Sequence, residues 1–207
     1  MAFGDVIRSF AAPGDGVASL AWDGRDLWVG DETTDTIYQI STRDGTVIRS
    51  FTPPSNDPTD MDFDGKNIWH LGSVQASLYQ IDPRNFATIR SFASQGSGIY
   101  GLIYDGRALY LSDNITDLVY LAYPRDATRI RSWDAPATGS SDLAWDGHYL
   151  FLLDLTADRI YQLDSRNGTI IRTSPTQAGD GRGLVFDGNH LWYASRTANR
   201  IYLLSLR

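Results

Sequence analysis

The chain has 207 residues, of which 42% are hydrophobic and 12% aromatic, and it contains no cysteine. This composition is typical of a folded globular protein with a large core, and the lack of thiols excludes disulfides and zinc–thiolate sites. The formal net charge of −7 argues against a nucleic-acid partner, because binding to a phosphate backbone needs clustered lysine and arginine.

The first clear element is a pair of predicted strands, Leu20–Trp22 and Leu27–Val29, with the dipeptide Asp23-Gly24 between them. Asp-Gly between two apolar runs is a strong hairpin signal. The same pattern returns four more times along the chain, and the numbers of successive turn aspartates differ by 41 (64 − 23, 105 − 64, 146 − 105, 187 − 146). The five turn aspartates are Asp23, Asp64, Asp105, Asp146 and Asp187. The sequence is therefore a repeat, and each position can be compared as a column of five equivalent residues.

Two further strands follow in each repeat. The segment Ile37–Ile40 contains Tyr38, the first of a column of tyrosines with one in each repeat, and predicts a third strand. The segment Val47–Phe51 contains Arg49, an arginine that recurs in later repeats, and predicts a fourth strand. The segments between repeats are rich in proline, glycine and serine, which interrupt strand pairing. Each repeat is thus predicted to be a four-stranded antiparallel meander, and no helix is expected.

A four-stranded sheet that recurs about every 40 residues is typical of a β-propeller, so we predict an all-β, five-bladed propeller. Five repeats of 41 residues account for nearly all of residues 1–207, which we expect to form one domain. The N-terminal residues 4–10 match a fourth strand, and the C-terminal residues 183–207 supply only the first three. Residues 4–10 should therefore pair with residues 200–205 and close the ring.

The patterns Asp23-Gly24-x-x-Leu27-Trp28-Val29-x-Asp31 and Asp105-Gly106-x-x-Leu109-Tyr110-Leu111-x-Asp113 resemble blades of the NHL, YVTN and streptogramin-lyase group of propellers. The resemblance covers all five repeats. It implies ligand binding at the mouth of the channel, on the face that carries the loops between blades and between strands two and three. The plant and bacterial glutaminyl cyclotransferases are similar in being five-bladed and would imply an enzyme acting on N-terminal glutamine, but their motif residues find no match beyond the repeat.

Residues that break a column are not required by blade geometry and are candidates for function. At the start of the innermost strand, Asp60 and Asp142 stand where the other repeats have serine or glycine. Two carboxylates near the channel mouth could bind a polar ligand or a divalent cation, or they could simply accept backbone hydrogen bonds. Tyr100 and Arg182 should lie beside this column, and Glu32 begins a loop on the presumed binding face. These three residues could recognise a charged or planar ligand, the alternative being a solvated rim.

In the second repeat, Asp62 and His70 occupy columns that are otherwise apolar or small. A buried carboxylate with a nearby imidazole could be a catalytic acid–base pair, which makes these two the candidates for catalysis. The alternative is a hydrogen-bonded pair with a structural role.

We expect a monomeric protein that binds a small molecule, a glycan or a protein at the loop face without chemistry. The alternative is an enzyme of the lyase or cyclotransferase kind that uses the channel-mouth carboxylates, and a third option is an interaction scaffold within a larger surface protein. No cofactor is expected apart from a divalent cation in the central channel at Asp60 and Asp142. The sequence has no apolar run of membrane-spanning length and no export signal at its N-terminus, so we expect no membrane partner and either a cytoplasmic protein or a processed extracytoplasmic domain.

Overall fold

A computed structural model describes residues 1–72, 77–94, 96 and 98–207. It contains five four-stranded antiparallel sheets, which form the blades of a ring. The predicted five-bladed β-propeller is confirmed. In the described part of the chain, no helix is long and apolar enough to cross a membrane.

The strands follow one another along the chain in the order of the repeats. The first ten are β1 (Val6–Ala11), β2 (Val17–Trp22), β3 (Leu27–Asp31), β4 (Thr36–Ile40), β5 (Val47–Phe51), β6 (Pro58–Phe63), β7 (Ile68–Gly72), β8 (Ser77–Ile81), β9 (Thr88–Ala93) and β10 (Ile99–Tyr104). The second ten are β11 (Leu109–Asp113), β12 (Leu118–Ala122), β13 (Arg129–Asp134), β14 (Ser140–Trp145), β15 (Tyr149–Asp154), β16 (Arg159–Asp164), β17 (Ile170–Pro175), β18 (Gly181–Phe186), β19 (Leu191–Ser195) and β20 (Arg200–Leu204).

Blades 1 to 4 are formed by β2–β5, β6–β9, β10–β13 and β14–β17. Blade 5 contains β18, β19 and β20, and its fourth strand is β1 from the other end of the chain. β1 pairs with β20 in antiparallel register, with Phe10 opposite Ile201, and the Phe10 ring packs 5.7 Å from the ring of Trp192. The predicted closure of the ring is therefore confirmed, with strand bounds shifted by one or two residues.

Each Asp-Gly turn is held by its aspartate. In blade 1, the Asp23 carboxylate accepts hydrogen bonds from the backbone amides of Arg25 and Asp26, from Trp28 Nε1 at 2.9 Å and from Gln39 Nε2 at 2.8 Å. Gly24 has φ 95°, a left-handed conformation that glycine adopts without a steric penalty. The recurring dipeptide thus fixes both the turn and the position of the buried tryptophan beside it.

The core lies between neighbouring blades, where the buried residues of one sheet pack on the next. One such cluster joins Leu27 and Val29 of blade 1 to Val185 and Trp192 of blade 5. The first strand of each blade lies innermost and packs beside the first strands of its two neighbours. These five strands surround the central channel and place their first residues at one end of it.

Candidate functional site at the channel mouth

A β-bulge opens the innermost strand of every blade. In blade 1, Val17 pairs with Asp31 and Ser19 with Gly30, so the intervening Ala18 has no partner of its own in the ladder. The same shift occurs at the equivalent place in each blade. A bulge of this kind turns a side chain out of the regular pattern of the strand and is common beside functional sites. The bulged residues, which we call the mouth ring, are Ala18, Thr59, Tyr100, Ser141 and Arg182.

The mouth ring lines a cavity of about 220 Å³, which is completed by Glu32 and Asp57 from the loops of the same face. Glu32 follows strand β3, and Asp57 precedes strand β6. The cavity is smaller than the roughly 300–1,000 Å³ of sites for drug-sized ligands. It therefore suits a ligand smaller than a drug-sized molecule, and it lies on the face that the family resemblance implied.

Two ion pairs hold charged side chains at this cavity. Arg182 Nε donates to Asp180 Oδ1 at 2.8 Å, and Glu32 pairs with Arg196 through Oε1. Arg182 and Glu32 line the cavity, whereas neither of their partners is among the lining residues. Each pair therefore restrains one charged side chain that lines the cavity, through a partner of opposite charge that does not line it.

The hydroxyl groups of the mouth ring are anchored by backbone carbonyls. Thr59 Oγ1 donates to the carbonyl of Asp57 at 3.2 Å, and Ser141 Oγ lies 3.2 Å from the carbonyls of Leu153 and Gly181. A hydroxyl that donates in this way still has lone pairs with which to accept a hydrogen bond. These side chains are thus positioned in advance to accept from a ligand.

Asp60 and Asp142 lie directly after Thr59 and Ser141 and are completely buried. Asp60 accepts hydrogen bonds from the amide of Met61 at 2.7 Å and from the amide of Leu102 in blade 3 at 2.5 Å. Asp142 repeats this arrangement with the amides of Leu143 and, in blade 5, Leu184, both at 2.5 Å. Each carboxyl group therefore ties its own blade to the next one, which is the structural role considered as the alternative for these residues.

The carboxyl groups of Asp60 and Asp142 also lie within hydrogen-bonding reach of each other, and we call them the carboxyl pair. Burial and the negative charge of Asp142 raise the pKa of Asp60 well above its ordinary value, and burial raises the pKa of Asp142 as well. Two adjacent carboxyl groups in a dry site cannot both be ionised at modest cost. The neutral form of the carboxyl pair is therefore favoured, and its macroscopic titration belongs to both residues together.

Asp62 and His70 are both buried, but the structure does not bring them together. Asp62 is opposite Trp69 in the sheet and accepts a hydrogen bond of 2.7 Å from the amide of Tyr104 in blade 3. His70 is opposite Met61, which packs on the other side of the sheet against blade 1. The two side chains thus face different blades, and the proposed acid–base pairing has no support in the geometry.

Burial shifts the pKa values of both groups in the direction that favours the neutral form. It raises the pKa of Asp62 to about 7 and lowers that of His70 to about 4. The His70 ring stacks 5.7 Å from that of Tyr79 and lies beside the backbone of Ser55, and within the described part of the chain neither imidazole nitrogen makes a hydrogen bond of good geometry. A catalytic role for either residue remains an untested prediction.

Of the residues predicted from sequence to bind a ligand, Tyr100, Arg182 and Glu32 line the cavity, and Asp60 and Asp142 lie beside it in the interior. Sequence reasoning missed Thr59, Ser141 and Asp57, together with the two residues that support the charged groups. A signal for the mouth ring was present in the sequence, because its column contains a different residue in every repeat. The prediction of a divalent cation at the carboxyl pair stays untested, although among the described residues no cluster of three potential ligands occurs.

No family model matches the chain, and no curated protein matches it in sequence. In structure, the chain is similar to the glutaminyl cyclase of Myxococcus xanthus, with a TM-score of 0.84, 12% sequence identity and coverage of 99% of this chain and 97% of that one. It is also similar to the virginiamycin B lyase of Staphylococcus aureus, with a TM-score of 0.55, 19% identity and coverage of 93% of this chain and 66% of the lyase. Both neighbours are enzymes by name, and at these identities the likeness concerns the fold. The chain thus has the five-bladed β-propeller fold that its five sequence repeats predicted.

Proposed function

We propose that this protein binds a small polar molecule at the mouth of its central channel and does no chemistry on it. The observation that carries the proposal is the variety of the mouth ring. All five of its members are set out of the ladder by the same bulge, yet they are alanine, threonine, tyrosine, serine and arginine. Blade geometry requires the bulge but not these side chains, so a ligand is the better explanation for the choice of residues.

The lining of the cavity supports a polar ligand. Its side chains include a guanidinium, carboxylates, a phenol and two aliphatic hydroxyls. Polar groups that converge in a small concave site can orient one molecule by hydrogen bonds from several sides. A broad protein interface would instead need about 800 Å² of surface on each partner, with an apolar centre.

A lyase or cyclotransferase is the second candidate, since both structural neighbours are enzymes by name. Asp62, whose pKa burial raises to about 7, would suit proton transfer at neutral pH. However, a catalytic acid or base must come within hydrogen-bonding reach of its substrate. Asp60 and Asp142 have no exposed surface and already accept backbone hydrogen bonds, and Asp62 is only 5% exposed. Binding without chemistry is therefore the better supported function.

The melting temperature in the presence of candidate ligands tests the first proposal. A compound that prefers the folded protein must raise it, and at 100 times Kd the gain is about 2.7 kcal/mol, or about 5–10 °C for a domain of this size. The panel contains sugars, short peptides, amino acids and divalent cations, with a chelator control. If no compound in any class raises the melting temperature, the proposal is wrong.

A matched pair of variants tests whether binding takes place at the mouth. Tyr100→Phe removes a hydroxyl from the cavity, and Tyr104→Phe removes one at the other end of the same strand, where it donates to the carbonyl of Gly106. For a compound found in the panel, we expect Tyr100→Phe to weaken binding and Tyr104→Phe to leave it unchanged. Equal effects of the two variants would contradict the assignment of the site.

The enzymatic alternative has its own test. The protein is incubated with a peptide that begins with glutamine, and release of ammonia is followed by mass spectrometry, with the double variant Asp60→Asn/Asp142→Asn as a control. Turnover that this double variant abolishes while it remains folded would replace the binding proposal by the enzymatic one. A cation that raises the melting temperature of the parent protein but not of the double variant would place a metal at the carboxyl pair.

A further inference from the structure

The charged groups at the cavity have both signs, and they are fixed in position. Arg182 provides a guanidinium, while Glu32 provides a carboxylate from the loop after strand β3. Asp180 holds the first through Nε, and Arg196 holds the second through Oε1. Because each charge is oriented by a partner that does not line the cavity, a ligand meets a prearranged cation and a prearranged anion rather than mobile side chains.

Both groups keep hydrogen-bonding capacity for a ligand. A guanidinium has five N–H donors in a planar fork, and the only hydrogen bond that Arg182 makes to another described residue uses Nε. Its terminal N–H groups are therefore available to a ligand carboxylate, which guanidinium binds with two parallel hydrogen bonds. The Glu32 carboxylate pairs with Arg196 through Oε1. A carboxylate has about four lone-pair sites, so it can also accept from an ammonium group.

A ligand with a single charge fits this lining poorly. A simple anion would be attracted by Arg182 but repelled by Glu32, which lies in the same small cavity. A simple cation would be attracted by Glu32 but repelled by Arg182. A molecule with an ammonium and a carboxylate satisfies both signs at once, since complementary placement of charges determines specificity more than total charge does.

The size of the cavity limits the ligand further. A volume of about 220 Å³ lies below the roughly 300–1,000 Å³ of sites for drug-sized ligands. That space accommodates a free amino acid with a small or medium side chain. The hydroxyls of Thr59 and Ser141 and the phenol of Tyr100 remain to contact the side chain or backbone polar groups of such a ligand.

We infer that the mouth of the channel takes a small zwitterion, an α-amino acid or a close relative of one, with its carboxylate on Arg182 and its ammonium on Glu32. The inference rests on the proposed function, because it assigns a ligand class to the same site. It differs from that proposal in requiring both charges on one molecule.

The test uses compounds that share a skeleton and differ in charge. The standard L-amino acids are titrated into the protein and followed by two-dimensional NMR, and the tightest of them is compared with its amide, which lacks the carboxylate, and with its N-acetyl derivative, which lacks the ammonium. Loss of a charge-assisted hydrogen bond should weaken binding about ten-fold or more in each derivative. If either derivative binds as tightly as the amino acid itself, the inference is wrong.

Two variants assign the ends of the ligand to the residues. In Arg182→Gln, the preference for the amino acid over its amide should disappear, and in Glu32→Gln the preference over the N-acetyl derivative should disappear. Arg25→Gln, which removes a guanidinium that is 89% exposed in an Asp-Gly turn, serves as the control and should change neither preference. If both preferences persist in the first two variants, Arg182 and Glu32 do not bind the ligand and the inference falls.

The outcomes separate the inference from the proposal on which it rests. If a neutral sugar shifts the amide resonances of Tyr100 and Arg182 and no amino acid does, the zwitterion inference is wrong and binding at the mouth is supported. If no compound of any class shifts these resonances, both are wrong. The melting temperature of each variant, measured beforehand, shows whether it is folded.

Discussion

Replacement of Asp62 by alanine should change how the stability of the propeller depends on pH. Burial raises the pKa of the Asp62 carboxyl from 3.8 to about 7. Between these two values the folded protein keeps a proton on Asp62 that the unfolded chain releases. The contribution of this proton to the free energy of unfolding is complete below about pH 4, near the pKa of Asp62 in the unfolded chain. It is lost as the pH rises through about 7, which is the pKa of Asp62 in the folded protein.

The size of the effect follows from the shift. Each pH unit in this window lowers the free energy of unfolding of the parent protein by about 1.4 kcal/mol for one proton. A window of about three units therefore lowers it by about 4 kcal/mol. Alanine stands at the same place in blades 1 and 4, where Ala21 and Ala144 are buried, so the blade accommodates it. Relative to the parent protein, Asp62→Ala should therefore gain about 4 kcal/mol between pH 4 and pH 8. Loss of the hydrogen bond from the Tyr104 amide lowers the stability of the variant as well, and the effect of this bond on the titration is already contained in the pKa of Asp62.

Urea unfolding at a series of pH values between 4 and 8, followed by tryptophan fluorescence, measures this difference. Asp62→Asn is the second variant, since it keeps the shape and an acceptor oxygen while removing the titrating proton. Both variants should show the same change with pH although their stabilities at any one pH differ. If the curves of stability against pH for the parent and the variants run parallel, burial does not raise the pKa of Asp62 and the reasoning is refuted.

Three further predictions concern the blades. Asp23→Ala should lower the free energy of unfolding by about 2–4 kcal/mol, because it leaves Trp28 Nε1 and Gln39 Nε2 without their acceptor. The control variant Asp134→Ala, at an exposed site, should have little effect in the same urea titration. His70→Leu should raise the free energy of unfolding by about 1–3 kcal/mol, because it removes a buried polar ring. The gain should be larger at pH 5, since the parent protein loses stability as the pH falls from 6.5 toward the lowered His70 pKa of about 4. An unchanged urea midpoint would contradict this prediction. Deletion of residues 1–11 removes strand β1 and exposes the edge of β20, so size-exclusion chromatography should show self-association, and a stable monomer would contradict the role assigned to ring closure.

Much of the architecture could be predicted because it depends on local patterns. The Asp23-Gly24 dipeptide specifies a tight turn through the φ of 95° at Gly24, and the alternation of apolar residues marks the strands on either side. Repetition at 41 residues then multiplies a moderate local signal by five. The closure of the ring could also be predicted from the sequence, since residues 4–10 match the fourth strand that residues 183–207 lack.

The candidate site was only partly predictable. Asp60, Asp142, Tyr100, Arg182 and Glu32 were selected because they break or flank a repeated column, and the structure gathers all five at or beside one end of the channel. The comparison of equivalent positions in the five repeats does not distinguish the roles of these five residues. Spacing along the chain does not reveal that two of these side chains are enclosed while the other three reach a cavity.

By itself, the sequence determined the number of blades, the order of their strands and the closure of the ring, because short-range strand and turn preferences repeated five times leave little freedom in how the chain is arranged. Only the tertiary structure decided which distant side chains meet. It places the carboxyl groups of Asp60 and Asp142, which belong to different blades, within reach of each other and separates Asp62 from His70 by facing them toward different neighbours. The physical reason is that contacts across the channel depend on how five sheets pack around one axis and on the bulge in each inner strand, which no local pattern encodes.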